Sequence, residues 1–179
     1  MLNLYVKGTE YYDDKTNSFF TVKDEVLNME HSLLSLSLWE AKYKKSFLDE
    51  LEKGLSIEET IYYIKCMCLN DINDENIFLC INSRHLKIIL DYLNDPMTAT
   101  TFYDLKTNTS NKKEKITSEL IYYWMLESGI PFECDKWNLN HLLTLIRVVS
   151  YKNSNQKMSK KETREFNRAL MAKRRAGLK

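Results

Sequence analysis

Residues 116–151 constrain the fold most, because they predict two strongly apolar helices joined by a short turn. The first predicted helix spans Ser118–Ser128 and ends at Gly129, since glycine adopts the left-handed conformation that closes a helix and a proline follows two residues later. The second begins at Asp135 or Asn138, which are both favourable N-cap residues. A connection this short predicts that the two helices pack as antiparallel neighbours.

The spacing of apolar side chains predicts which faces of these helices are buried. In the first helix, Ile121 and Met125 widen an apolar stripe so far that we expect burial on more than one side. We interpret the aromatic and aliphatic residues as hydrophobic core, and a groove for a partner is the alternative. The predicted stripes are Ile116, Leu120, Tyr123 and Trp124 in the first helix, and Leu139, Leu142, Leu143, Ile146 and Val149 in the second.

The composition indicates one domain, or one domain with an arm. The chain has 179 residues, with 4 glycines and 2 prolines, which argues against a loop-rich or disordered protein. Its charge is unevenly distributed. Residues 152–179 hold ten Lys and Arg against two Glu, a net charge of +8, whereas residues 1–151 hold 16 basic and 23 acidic side chains, a net charge of −7.

The order of patterns along the chain predicts a mainly α fold with a small antiparallel β region in residues 1–31. That region shows period-two alternation and two aromatic runs around a polar turn, which predict a hairpin. Helical spacing starts at Ser32, and Ser56 with Glu59 forms a capping box before another helix. We expect Ser83 to cap a further helix that stops before Pro96.

The predicted helical domain covers residues 1–151, and residues 152–179 form a basic C-terminal arm. Lys152–Met158 is polar and is predicted to be a linker. Ser159 and Glu162 form a second capping box, which starts a helix that runs to about Arg175 with a thin apolar stripe.

The sequence offers no recognisable catalytic or metal-binding motif, so we expect no catalytic residues, no metal and no cofactor. Its three histidines are not spaced as helical metal ligands, and Cys66 and Cys68 are too close for a zinc knuckle. No glycine-rich phosphate loop or hydrolase motif occurs. The absence of a secretory signal and of a long apolar run predicts a cytoplasmic protein with reduced thiols and no membrane contact.

The basic C-terminal helix is the candidate partner-binding site. Lys161, Arg164, Arg168 and Arg175 recur on one helical face, which could contact phosphates or an acidic protein. Because Phe166 is the only aromatic residue there that could stack on a base, we favour a protein partner over nucleic acid. The candidate residues are Lys160, Lys161, Arg164, Arg168, Lys173, Arg174 and Arg175.

Several segments spread over most of the chain resemble those of small proteins that tailed bacteriophages encode near their tail genes. Proteins in that position are typically tail assembly chaperones. The segments are Glu30–Ser37 with Trp39 and Glu40, Asp95–Thr100, Glu119–Met125, Ile130–Arg147 and the basic C-terminus.

This resemblance implies a non-catalytic assembly factor in the cytoplasm of the infected bacterial host. Such chaperones bind the tape-measure protein, keep it soluble and help recruit the tail-tube protein. Two alternatives remain: a virion component of the neck or tail, and a phage regulator that binds nucleic acid through its basic helix. The sequence leaves open whether the protein forms a homo-oligomer.

Overall fold

The computed structural model describes residues 1–100, 115–157 and 168. These residues form a mainly α-helical protein with a small β region at the N-terminus, as the sequence predicts. The strands are β1 (Leu2–Val6), β2 (Glu10–Asp13), β3 (Ser18–Thr21) and β4 (Glu25–Met29). The α-helices are α1 (Leu33–Tyr43), α2 (Phe47–Lys53), α3 (Ile57–Met67), α4 (Ser83–Asn94), α5 (Ser118–Ser128) and α6 (Leu139–Lys157), with 3₁₀ segments at Glu75–Cys80 and Phe132–Lys136.

The β region consists of two small antiparallel sheets. Strands β2 and β3 form the predicted hairpin, in which Tyr11 lies opposite Phe20. Strand β1 pairs with β4, with Leu4 opposite Leu27. Both leucines are buried, because residues that alternate along a strand share one face and this face packs on the core.

Gly8 allows the chain to turn between the two sheets. A Cβ atom at this position would lie 2.0 Å from the carbonyl oxygen of Val22, which is far inside van der Waals contact. Next to it, the Val22 N–H donates a hydrogen bond to the Thr9 carbonyl oxygen. The close approach of these two backbones therefore requires glycine at position 8.

Polar residues start the helices at or near the expected positions. The Ser56–Glu59 capping box is confirmed: the hydroxyl and carboxylate each accept the other residue's backbone N–H. The prediction that Ser83 caps α4 is wrong by one residue. Asn82 is the cap, because its Oδ1 atom accepts the N–H groups of Arg84 and His85.

One hydrophobic core runs from the β region to α6. At its centre the rings of Phe47 and Tyr63 stack with centroids 3.9 Å apart, and Trp39 packs edge-on against Phe47 at 5.2 Å. This cluster joins α1, α2 and α3. Strands β1 and β4 and helices α5 and α6 also contribute, through Leu27, Ile121 and other residues of the same core.

The predicted burial of α5 is confirmed for Ile121 and Met125 and is wrong for Tyr123, and the predicted ends of the helix are correct. Ile121 and Met125, with no exposed surface, form the buried face, whereas Tyr123 is 56 % exposed. Trp124 is half-buried. Gly129 ends the helix with a φ of 67°, as expected for a left-handed C-cap.

Helix α6 is longer than the sequence predicted. Asn138 caps it, and its Oδ1 atom accepts the N–H of Asn140 at 3.0 Å. The helix continues to Lys157, so the predicted linker at Lys152–Met158 is wrong for residues 152–157. The predicted boundary between domain and arm therefore falls inside a helix. The helix predicted from Ser159 lies outside the described residues, apart from Arg168, which is helical and exposed.

Candidate partner-binding surface

The basic residues selected from the sequence remain a prediction. Arg168 is exposed, as partner contact requires. Lys160, Lys161, Arg164 and the cluster at 173–175 lie outside the described residues. The surfaces described below lie on residues 1–100 and 115–157.

The cysteines in the described part of the chain are free thiols without metal-site geometry. No group of three or more His, Cys, Asp or Glu side chains within residues 1–100 and 115–157 is arranged to hold a metal ion. Burial raises the pKa of the Cys68 thiol to about 11, and burial also raises the pKa of Cys66. Both thiols are therefore protonated near neutral pH and are poor nucleophiles.

The buried carboxylate of Glu40, on α1, accepts hydrogen bonds from the starts of two other helices, α2 and α5. Its Oε1 atom accepts the N–H of Phe47 at 2.9 Å, at the start of α2. Its Oε2 atom accepts the N–H and the hydroxyl of Ser118 at 2.8 and 2.6 Å, at the start of α5. Helix N-termini present unpaired N–H groups and a positive dipole end, so this carboxylate satisfies both helix starts.

His31 and Tyr63 form a second enclosed polar contact. The His31 Nδ1 atom lies 2.6 Å from the Tyr63 hydroxyl, and both side chains are buried. Burial lowers the pKa of His31 to about 4, and the nearby charge of Glu30 opposes this only in part. The imidazole is thus neutral at pH 7 and lies buried in the core.

A set of exposed apolar side chains lies on α1, on α5, which packs against α1, and in the turn that follows α5. We call it the α1–α5 surface. Leu126 is 62 % exposed, Tyr123 56 % and Trp137 46 % among the described residues, and the Trp137 ring packs edge-on against His141. Its members are Leu34 and Leu38 from α1, Tyr123 and Leu126 from α5, and Phe132 and Trp137 from the turn that follows α5.

Tyr122 joins the parts of this surface. Its ring packs edge-on against Phe132, with centroids 5.8 Å apart. Its hydroxyl donates to the Asp135 Oδ2 atom at 3.1 Å and contacts Ser37 on α1. Burial, followed by the charge of Asp135, raises its pKa to about 12. The α1 helix, α5 and the turn therefore hold fixed positions around one half-buried ring.

The main chain fixes the other end of the surface. Ser32, the cap of α1, forms an antiparallel bridge with Asn138, and the Leu139 N–H donates to the His31 carbonyl oxygen at 2.7 Å. These contacts bring Trp137 next to the start of α1, where Leu34 lies. The apolar side chains thus lie on a rigid base of packed helices.

Carboxylates outnumber basic groups around the α1–α5 surface. Helix α5 contains Glu119 and Glu127 and no Lys or Arg, and the following turn adds Glu133 and Asp135. The basic groups of α1, its C-cap and the turn are Lys42, whose Nζ atom lies 3.7 Å from the ring centroid of Tyr62 on α3, Lys44 and Lys136. Backbone hydrogen bonding at the start of α5, with help from Thr117 and Lys44, lowers the pKa of Glu119. The surface is therefore apolar at its centre and acidic around it.

Of the residues of this surface, Tyr123 belongs to a predicted buried stripe, for which a partner groove was the alternative to hydrophobic core. Tyr123 and Trp124 were taken as buried because both are large and apolar. The polar Ser118, which is buried under Glu40, could have indicated the correct face. It lies on the same side of the helix as Ile121 and Met125, at i, i+3 and i+7.

Comparison of the chain with protein-family models, with curated proteins and with solved structures gives no match. In the described part of the chain, no helix has both the length and the apolar character that a membrane span needs. The geometry of the α1–α5 surface is therefore the main structural observation that bears on function.

Proposed function

We propose that this protein is a non-catalytic tail assembly chaperone of a tailed bacteriophage, which binds the tape-measure protein and aids tail-tube assembly. The α1–α5 surface carries this proposal, because an exposed apolar surface with charged surroundings is typical of protein-binding sites. The resemblance of Glu30–Ser37, Glu119–Met125 and Ile130–Arg147 to phage proteins encoded near tail genes supports the same partner class.

The buried titratable groups are consistent with a binding role. Glu40 is used to start two helices, and His31 contacts Tyr63 inside the core. The thiols of Cys66 and Cys68 have raised pKa values. Because catalysis needs reactive groups that a substrate can reach, these side chains are better suited to holding the fold than to chemistry.

Co-expression with the tape-measure protein of the same phage tests the proposal. We expect a soluble complex of the two proteins and less aggregated tape-measure protein than in its absence. The control is co-expression with an unrelated soluble helical protein. If the two phage proteins do not associate, and the tape-measure protein is equally soluble alone, the proposal is rejected.

Mass spectrometry of purified phage particles distinguishes a chaperone from a virion component. A chaperone acts in the cytoplasm of the infected host and leaves before the particle is complete, so its peptides are expected in infected cells and not in virions. Stoichiometric recovery from virions would instead identify a neck or tail component.

Salt-dependent binding distinguishes the nucleic-acid alternative. If the basic residues between Lys160 and Arg175 contact phosphates, affinity for DNA or RNA must fall steeply with added salt. We expect no such binding at physiological ionic strength, and we expect the tape-measure complex to survive there because apolar contacts dominate it.

A further inference from the structure

We infer that the α1–α5 surface binds an amphipathic helix that carries Lys or Arg beside an apolar stripe. The inference rests on the proposed function, since it describes the segment of the partner that the same surface recognises. It adds the secondary structure and the charge of that segment, and each can be tested separately.

The spacing of the exposed side chains favours a helix as the bound element. Helix α1 presents Leu34 and Leu38, which are one turn apart, and α5 presents Tyr123 and Leu126, which are also one turn apart. Two packed helices leave a groove along their line of contact, and an amphipathic helix fits such a groove by inserting side chains at i, i+3 or i+4 and i+7. Phe132 adds an exposed aromatic side chain beside α5.

The polar groups of the backbone also favour a helix. The main-chain groups inside α1 and α5 bond along each helix, and the Ser118 N–H at the start of α5 donates to Glu40, so neither helix offers a free strand edge for an extended peptide. On this surface, α1 and α5 can contact a partner only through their side chains. A partner must therefore satisfy its own main chain, as a helix does.

The charges around the groove select a basic partner. Glu127 is four residues from Tyr123, so both lie on one face of α5, and Glu133 follows Phe132 in the turn. Both glutamates are exposed. Lys44 offsets Glu119, and Lys136 lies near Asp135. The remaining carboxylates attract Lys or Arg and repel phosphate groups or an acidic helix.

Binding of designed peptides to the full-length protein tests the inference. The probe is a fluorescein-labelled helical peptide of about 18 residues, or five turns, with Leu at i, i+4, i+7 and i+11 and Lys at the flanking positions. One control peptide replaces the lysines with glutamate, and another replaces the leucines with serine. We expect fluorescence anisotropy to show binding of the Lys–Leu peptide, at least tenfold weaker binding of the glutamate peptide, and loss of binding with the serine peptide.

Matched variants of the protein show where the peptide binds. Leu126→Ser removes an anchor of the α1–α5 surface, and Ile57→Ser removes a residue that is 84 % exposed at the start of α3. Glu127→Lys changes the charge of the surface, and Glu52→Lys makes the same change on α2. We expect Leu126→Ser and Glu127→Lys to raise Kd at least tenfold and the two control variants to leave it unchanged. Because all four side chains are exposed, circular dichroism should show folded proteins.

Three results would overturn the inference. The first is equal binding of the glutamate and lysine peptides, and the second is an equal loss of affinity with Leu126→Ser and Ile57→Ser. The third is tighter binding after Arg164→Gln with Arg168→Gln, which would show that the chain's own basic segment occupies the surface.

The peptide experiment and the co-expression experiment can fail separately. A tape-measure complex that is insensitive to Leu126→Ser would leave the proposed function in place and reject this binding mode. Specific binding of the basic peptide without any tape-measure complex would retain the surface chemistry and reject the proposed partner.

Discussion

Glu40 illustrates how one buried side chain positions elements that are far apart in sequence. It lies in the last turn of α1 and accepts hydrogen bonds from residues 7 and 78 positions away. The sequence shows Glu40 as one charged residue at the end of an apolar segment, and such residues are usually exposed. Its role depends on the start of α5, which no local pattern links to α1.

Replacing this carboxylate should destabilise the fold. In Glu40→Gln, the amide NH₂ group must face the N–H of either Phe47 or Ser118, so one helix start loses its acceptor. We expect the free energy of unfolding in urea to fall by about 2 kcal/mol, the usual contribution of a hydrogen bond to a charged group. The control is Glu52→Gln on the exposed side of α2, with an expected change of less than about 0.5 kcal/mol. Equal stability of the two variants would contradict this role.

His31 should make stability depend on pH between about 6.5 and 4. Its pKa in the folded protein is about 4, below the ordinary value of 6.5, so in this window the unfolded chain binds a proton that the folded protein does not. The contribution of His31 to the free energy of unfolding is therefore present above pH 6.5 and is lost as the pH falls towards 4. Between pH 7 and pH 5, His31 alone should lower the free energy of unfolding by about 2 kcal/mol.

The variant His31→Gln isolates this contribution. Glutamine can still hydrogen-bond to the Tyr63 hydroxyl but does not titrate, so urea unfolding at the two pH values should show a smaller loss than in the wild type. The exposed His141 provides the matched control as His141→Gln, which should keep the wild-type dependence. An unchanged pH dependence in His31→Gln would show that the buried imidazole is not responsible.

At the scale of single elements, the ends of helices were easier to predict than their faces. Gly129 ends α5, and Ser56 starts α3, because each acts through its own backbone and the neighbouring turn. Which side of α5 is buried depends on the positions of α1 and α6. An all-round apolar sequence such as that of α5 fits several orientations, so its spacing could not select one.

The faces of α5 can be tested directly by a pair of truncations. Met125→Ala should lower the free energy of unfolding by about 2–4 kcal/mol, because it leaves a cavity at a fully buried position. Tyr123→Ala, two residues away, should change it by less than about 0.5 kcal/mol, since more than half of that side chain is exposed. Urea unfolding followed by tryptophan fluorescence measures both. A larger loss for Tyr123→Ala than for Met125→Ala would show that Tyr123 belongs to the buried face of α5.

The α1–α5 surface was missed for a related reason. A large apolar residue in a sequence predicts burial. The sequence pattern is the same whether that residue is buried in the core of its own chain or under a partner protein. The choice between core and partner-binding surface could be made for Phe132 and Trp137 only after the positions of α1 and the turn were known. The basic C-terminal segment was easier to find, because its net charge can be counted from the sequence without knowledge of the fold.

At the scale of the whole molecule, the end of the N-terminal β region contacts the start of α6. Asn138 donates from Nδ2 to the Glu30 Oε1 atom at 3.1 Å, and the Leu139 N–H donates to the His31 carbonyl oxygen. These contacts join the end of the β region to the start of α6 across more than 100 residues. Because one hydrophobic core also includes both regions, the β region and the helices should unfold together.

Asn138→Ala should therefore weaken both regions at once. The variant removes the cap of α6 and the hydrogen bond to Glu30, so we expect the free energy of unfolding to fall by about 2 kcal/mol. Native-state hydrogen exchange should show the same decrease for the amides of β4 and of α6, because both exchange through one global unfolding step. Asn76→Ala is the matched control, since that exposed side chain contacts Asp74 two residues away and should change stability by less than about 0.5 kcal/mol. A loss of protection in α6 with unchanged protection in β4 would mean that the β region folds as a separate unit.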